Sequence, residues 1–412
     1  MSVSHSARRK VDVVVVGAGP AGLVAAATAA SKGLDTLLVE REAEIGSPVH
    51  TSGATAVQTM ATFGIPENLY HPIPRWRICS PNEEAVFELG ESTACIIDVK
   101  GVYQHLGVVA GRSGATIVTG TTAEEVLIER GAVVGCRLSG GSLGPCIVES
   151  KVLIDASGYR ASISTQAGLH EGFRRFGVGA EFELTAPRCR QDEAVLVVGN
   201  RYAPSGYAWA FPWGDARVRL GVGVLHADTR ADPRQLLSLF MEEAEGFEID
   251  LRDATIEESH FGLIPSDGLA SRLVADGIMA AGDSVGQASL VVGEGIRLSM
   301  VAGALAAEVA AQAIAEGHWH REALVSYERL FKAKYGKNLA MGHALNVRMG
   351  TRGDAEWDEK VRLLKSLPTP LVVDLLQSNF SIGNLTRWLA LRPTLWPRAA
   401  GYALRYALAS AG

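Results

Sequence analysis

Three glycines near the start of the chain, in Gly17-Ala18-Gly19-Pro20-Ala21-Gly22, stand at the G-x-G-x-x-G spacing, and an acid, Glu40, follows them. Those residue types suit a pyrophosphate. Gly17 permits a tight turn, Gly19 lets the backbone approach the phosphates, and Gly22 lets a helix pack closely on a strand, while Glu40 can accept hydrogen bonds from ribose hydroxyls. A second set lies far downstream, Gly282-Asp283 and Gly293-Glu294-Gly295-Ile296. An acid, a glycine-rich loop and a helix N-terminus suit a ribityl chain and a second phosphate. A third set, Asp155-Ala156-Ser157-Gly158, reads equally well as a close backbone approach to a cofactor or as a plain turn.

These sets need elements to position them, and the pattern around each supplies one. Val11–Val16 is a β-branched run of the kind found in buried parallel strands. Pro20 to Lys32 is alanine-rich and stops at Gly33, as expected of a helix packed tightly on a sheet, and Thr36 to Glu40 is a second strand. A helix is expected near Gly101 to Gly114, then a β-meander over 116–155 that rejoins the parallel sheet. Residues 178–225 are strand-rich and predict a second, mainly antiparallel domain. A strand at Gly277–Asp283 and a long helix from Ile296 to Glu316 return the chain to the first domain, and helices dominate from Tyr327 onward.

The chain has 412 residues, 47% of them apolar and 20% charged, enough for two domains and a buried ligand. A net charge of -6 provides no basic field for nucleic acid. The five cysteines form no C-x-x-C pair, which points to a reducing cytoplasm and away from structural zinc or any other metal site. Residues 1–10 are short and polar, and no stretch of 18 uncharged apolar residues follows. From Leu385 to Gly412 the chain carries four arginines and no acid, interleaved with Trp388, Trp396, Tyr402 and Tyr406. That composition suits peripheral docking on an anionic membrane, or two helices packed on the enzyme body.

The three glycine-rich sets, in this order, resemble the FAD-dependent superfamily of aromatic hydroxylases, flavin halogenases and geranylgeranyl reductases. Two segments narrow the resemblance to the geranylgeranyl reductases. Gly46-Ser47-Pro48-Val49-His50-Thr51-Ser52-Gly53 is similar to the G-x-P-V-x-C-G segment that lies along the flavin in archaeal members, and Tyr207-Ala208-Trp209-Ala210-Phe211-Pro212 with Gly221 and Gly223 is similar to their Y-x-W-x-F-P-x8-G-x-G signature. The sequence departs from the family where a cysteine is replaced by Thr51 or Ser52. The segment Asp98–Leu106 lacks the arginine usual in the family's D-R-x-x-F-D-x-x-L pattern unless Lys100 replaces it, and a proline is missing from Ser284 to Val292.

The resemblance implies an α/β fold. A Rossmann-like FAD-binding domain of the glutathione reductase type would comprise 1–70, 99–170 and 268–330, an interleaved antiparallel substrate domain 71–98 and 171–267, and a helical region 331–412. It implies FAD contacts from Arg41, Ser47, Pro48, Val49, Lys100 and Ala123, besides Gly17, Gly19, Pro20, Ala21, Gly22, Glu40, Asp155, Gly158, Gly282, Asp283, Gly293, Gly295 and Ile296. It places Tyr207, Trp209, Phe211, Pro212, Gly221 and Gly223 against the substrate. Alternate residues of a strand share one face, so the aromatics suit a core as well as a cavity wall.

The implied activity is reduction of isoprenoid C=C bonds by hydride from reduced flavin. An electron-rich alkene also needs an acid, and His50, Thr51, Ser52 and Tyr207 are the candidates. A monooxygenase or epoxidase on the same scaffold, acting on an apolar prenylated or aromatic substrate, remains the competing reading, with a non-catalytic flavin-binding protein behind it. No second G-x-G-x-x-G precedes a helix, so the electron donor, whether NAD(P)H, ferredoxin or a flavin reductase, is expected to bind transiently.

Overall fold

Val13, Val14 and Val15 are wholly buried because the strand that holds them, Ala7–Val16, is central and covered on both faces, as a parallel strand must be. The computed structural model describes residues 7–90, 93–350 and 352–379. The arginine- and aromatic-rich stretch 385–412 lies outside the described residues.

The first sheet runs Val274–Ala275, Ile278–Ala280, Cys146–Asp155, Ala7–Val16, Thr36–Val39, Thr116–Val118, with Thr121–Glu129 and Ala132–Gly140 attached as an antiparallel meander. Ala7–Val16 pairs in parallel with both neighbours. The helix Pro20–Ser31 covers one face, and Gly33 closes it with φ +82°. The long helix Ile296–Ala315 packs on that helix at backbone distance: a Cβ on Gly303 would lie 2.1 Å from the Ala21 carbonyl oxygen. By length and composition Ile296–Ala315 could cross a membrane, but it is a core helix, with Met300, Ala302, Ala306 and Ala310 wholly buried.

Two expected elements differ in detail. The helix expected from Gly101 begins at Val99, because the Asp98 carboxylate accepts a hydrogen bond from the Gly101 amide at 3.0 Å and caps the extra turn. The loop-rich stretch after Glu40 contributes a small sheet of its own, in which Ala54–Ala56 and Tyr70–Pro72 flank Ala94–Ile97.

The second sheet runs Thr255–Pro265, Phe176–Thr185, Arg217–Leu225, Tyr207–Pro212, Glu193–Val197, Arg75–Cys79, Glu84–Glu88. Its pairings are antiparallel except where Glu193–Val197 meets Arg75–Cys79. The helix Pro233–Glu242 seals the back face with Leu237 and Phe240 against Ala180, Leu184, Val218, Leu220 and Val222. The front face looks onto the glycine-rich loops of the first sheet. Near the far edge, Trp357 and Val361 of the helix Asp354–Lys365 pack with Trp76, Ile78 and Phe87. Asp358 fastens that helix by accepting from Ser80 Oγ at 2.7 Å, the Asn82 amide at 3.0 Å and Asn82 Nδ2 at 2.8 Å.

Candidate active site

One cavity of about 1070 Å³ joins the glycine-rich loops of the first sheet to the front face of the second, at the upper end of the range for small-molecule sites. Its first half is a cradle of backbone. Gly17 turns with φ +101°, and a Cβ there would lie 2.3 Å from the Ala156 carbonyl oxygen. Gly22 touches Gly17 in turn, its would-be Cβ 1.9 Å from the Gly17 oxygen. Gly19 is the opposite case: it lines the cavity, and a Cβ on it would meet nothing within 4 Å. It is also the N-cap of Pro20–Ser31, with no side chain covering the first-turn amides, so those amides are available to an anion. Glu40 accepts from the Ala18 amide at 2.6 Å and the Glu42 amide at 2.9 Å, which holds its carboxylate at the rim.

Asp283 lines the same half, and burial pushes its carboxyl up to about 6. Among the described residues no donor reaches that carboxyl. An unsatisfied acid, an open glycine and a bare helix N-terminus together fit the hydroxyls and phosphates of FAD. Gly293, with φ +66°, and Gly295 bring the N-terminus of Ile296–Ala315 to the cavity, where the Glu294 carboxylate already accepts from the Arg297 amide at 2.9 Å. Pro20, Ala21, Arg41, Ser47, Pro48, Ala123, Gly158, Gly282 and Ile296 also line it.

Six expected contacts lie elsewhere. Asp155 is wholly buried, its carboxylate taken up by the Ser157 amide at 2.9 Å, the Ser164 amide at 2.8 Å and the Ser164 hydroxyl, so it caps the helix Ser162–Gln166. Lys100 points to solvent and pairs with Glu44 at 3.0 Å. Val99 and Tyr103 of the same helix face the cavity instead, being four residues apart and therefore on one side, with Lys100 a third of a turn away. Val49 packs on the core of the first sheet. Gly22 and Gly221 serve packing, and Pro212 is buried at its strand end.

The second half of the cavity is written in strand register. Gly262, Gly179, Gly223 and Tyr207 stand abreast on four neighbouring strands, so three positions in a row carry no side chain and leave a trough. The next row is His260, Glu181, Gly221, Trp209 and Leu196. The indole of Trp209 lies over Gly221, where a Cβ would be 2.2 Å from the ring, and it stacks toward Phe211 with centroids 6.1 Å apart. Tyr207 donates to the Val292 carbonyl at 2.5 Å, and burial raises its phenol pKa. It is a wall more than an acid.

The other acid candidates line the cavity as well. His50 Nδ1 faces the Phe261 carbonyl at 2.8 Å, Thr51 Oγ1 accepts weakly from the Gly53 amide at 3.5 Å, and the Ser52 carbonyl accepts from Arg219 at 3.0 Å. Sequence reasoning missed a charged cluster beside the trough. Glu181 accepts from the Trp209 indole at 2.8 Å and lies 3.2 Å from His260 Nδ1. Arg219, 1% exposed, bonds Glu183 at 3.2 Å and the Ile97 carbonyl at 2.9 Å. The available signal was charge at inward positions of strands, Glu181 and Glu183 in one and Arg219 in another.

Fold and cradle together define an FAD-dependent oxidoreductase, and residues 12–179 match the FAD dependent oxidoreductase family. Residues 178–258 match the geranylgeranyl reductase catalytic domain. The chain is 32% identical over 363 residues to digeranylgeranylglycerophospholipid reductase 2 of Methanothermobacter thermautotrophicus, covering 86% of this chain and 92% of the relative. It is 32% identical over 345 residues to the digeranylgeranylglycerophospholipid reductase of Methanothrix thermoacetophila, covering 80% and 85%. It belongs to the digeranylgeranylglycerophospholipid reductase family. Among solved structures, a geranylgeranyl bacteriochlorophyll reductase-like protein from Thermoplasma acidophilum shares the fold with a TM-score of 0.83 at 22% identity, over 89% of this chain and 96% of that one. A myxobacterial chondrochloren halogenase shares it less closely, with a TM-score of 0.66 at 18% identity, over 81% and 82%.

Proposed function

We propose that the enzyme reduces C=C bonds of a geranylgeranyl-type isoprenoid, seated in the trough with its reacting carbons facing the cofactor. The observation that carries this reading is the continuity of the two halves: an apolar floor of Gly179 and Gly223, walled by Trp209 and Phe211, opens into the cradle around Gly19 and Asp283. Reduced FAD supplies the hydride. The cradle residues would hold it, with Gly17, Gly19 and the first turn of Pro20–Ser31 toward its phosphates, Glu40 toward its ribose and Asp283 toward its ribityl chain.

The chain's own contribution is position and dryness. An alkene offers no hydrogen bond, so shape and aromatic contact orient it, and exclusion of water keeps reduced cofactor from side reactions. Electrons reach the cofactor from a donor that binds transiently, NAD(P)H, ferredoxin or a flavin reductase. Peripheral contact of residues 385–412 with a membrane would bring a lipid to the cavity.

Anaerobic turnover of the reduced protein with a panel of prenyl lipids tests the reading. Each reduced double bond adds two hydrogens to the product mass. Obligatory oxygen and a product gaining an oxygen atom would replace it with the monooxygenase reading.

A further inference from the structure

Glu181 and His260 are cross-strand partners at the edge of the trough, each 5% exposed, and both line the cavity. His260 Nδ1 lies 3.2 Å from Glu181 Oε1, and its Nε2 lies 3.1 Å from Glu258 Oε2. An ionised carboxylate only accepts, so both ring nitrogens must donate, and the ring that satisfies both bonds is the imidazolium. Glu258 sits at the other end of this line, its side chain 66% exposed. Three titratable groups therefore run from the solvent to the cavity wall without a gap.

The groups facing them come from the adjoining strands. The Trp209 indole donates to Glu181 Oε2, and Arg219 Nε lies 3.2 Å from Glu183 and 4.0 Å from Glu181. Arg219 and the indole N–H only donate, so they orient the carboxylates. Burial opposes the charge on His260, and Glu181, Glu258 and Glu183 outweigh it, so the ring titrates above its ordinary value.

We propose that Glu181 is the acid that protonates the alkene and that His260, reached by solvent through Glu258, reloads it. The proposal rests on the reading of the cavity as an alkene-reducing site. One alkene carbon receives hydride with its electron pair from the reduced cofactor. The π pair forms the second C–H bond with the proton of the Glu181 carboxyl. The double bond becomes single, the cofactor is oxidised by two electrons, and Glu181 is left as a carboxylate. It regains its proton from the His260 imidazolium, which regains one from water by way of Glu258. An apolar chain seated over the pair excludes water, and the 3.2 Å contact between His260 Nδ1 and Glu181 Oε1 is the path along which the proton passes.

The test uses FAD-loaded, full-length enzyme reduced anaerobically and mixed with a geranylgeranyl lipid in micelles, with flavin reoxidation followed in a single turnover. E181Q should keep its flavin and be reduced chemically like the parent, yet reoxidise on the order of 100-fold more slowly. E258Q should move the alkaline limb of turnover to lower pH, because the imidazolium loses one of its carboxylates, and the His260 ring signals in an NMR titration should move the same way. This second variant, altered at the exposed end, carries the test even if E181Q does not fold. Wild-type turnover with E181Q within threefold of it, or an unmoved limb in E258Q, overturns the proposal alone. A wild-type enzyme that reduces no prenyl lipid overturns the reading of the site and the proposal with it.

Discussion

Trp209 occupies the space that Gly221 leaves empty: a Cβ on Gly221 would stand 2.2 Å from Cζ2 and 2.3 Å from Cε2 of the indole. Gly221→Ala must therefore expel or tilt the ring, at about 1–3 kcal/mol. We expect a lower unfolding midpoint and slow lipid turnover, with FAD still bound. An unchanged midpoint would show that the ring moves freely and that the glycine is not there for the indole.

Gly19 should respond in the opposite manner. Its missing Cβ points into open cavity, so Gly19→Leu leaves the fold intact and blocks approach of the pyrophosphate. The purified variant should be colourless with an unchanged far-UV spectrum, and full flavin occupancy would contradict the assignment.

Trp209→Phe keeps an aromatic ring in place and removes the N–H that binds Glu181. Glu181 Oε2 then lacks its donor while Oε1 keeps His260, a loss of about 1–3 kcal/mol. Urea unfolding should register it, and lipid turnover should fall while the flavin spectrum stays that of the parent.

Asp283 carries a pH signature in the apoprotein. Its carboxyl is raised from 3.8 to about 6 by burial, so the folded state holds the proton more tightly than the unfolded one. The stability this confers is full below pH 3.8 and is lost as pH rises through about 6. Asp283→Asn removes the cost of the buried charge, and the apoprotein should gain up to about 3 kcal/mol at neutral pH while binding FAD more weakly. Equal urea midpoints for the two apoproteins at neutral pH would exclude this.

The stretch 385–412 predicts a separate behaviour. Full-length protein should co-sediment with anionic liposomes at low salt, and a truncation before Leu385 should stay in the supernatant. Equal recovery of both in the supernatant rules the docking out.

What could be read from the sequence was what depends on near neighbours. The strand containing Val11–Val16, the helix starting at Pro20 and the position of Glu40 follow from composition and spacing over a few dozen residues, and the structure has them. The trough could be read only in part. Gly221 and Gly223 were visible as a pair, but Gly179 and Gly262 join them solely through strand register. The same holds for Glu181, Arg219 and His260, each an isolated charge in its own strand. Helical phase turns Lys100 toward Glu44, and the Asp155 carboxylate caps a helix; neither orientation can be read from the sequence, where a capping carboxylate and a ligand-binding one look alike at a strand end.

The order in which the first sheet is completed has a bearing on how the chain comes together during synthesis. Ile278–Ala280 and Ile296–Ala315 belong to the first sheet's layer but are made after every strand of the second. The amino-terminal half must wait for them with Val13 and Val15 only partly covered, so the two layers mature jointly and neither is a self-sufficient early product. Such long-range closure slows folding. It also means that the cavity wall, to which Asp283 contributes as well as Gly19, is complete only after both sheets are made, so on the proposed reading flavin capture would report a finished molecule.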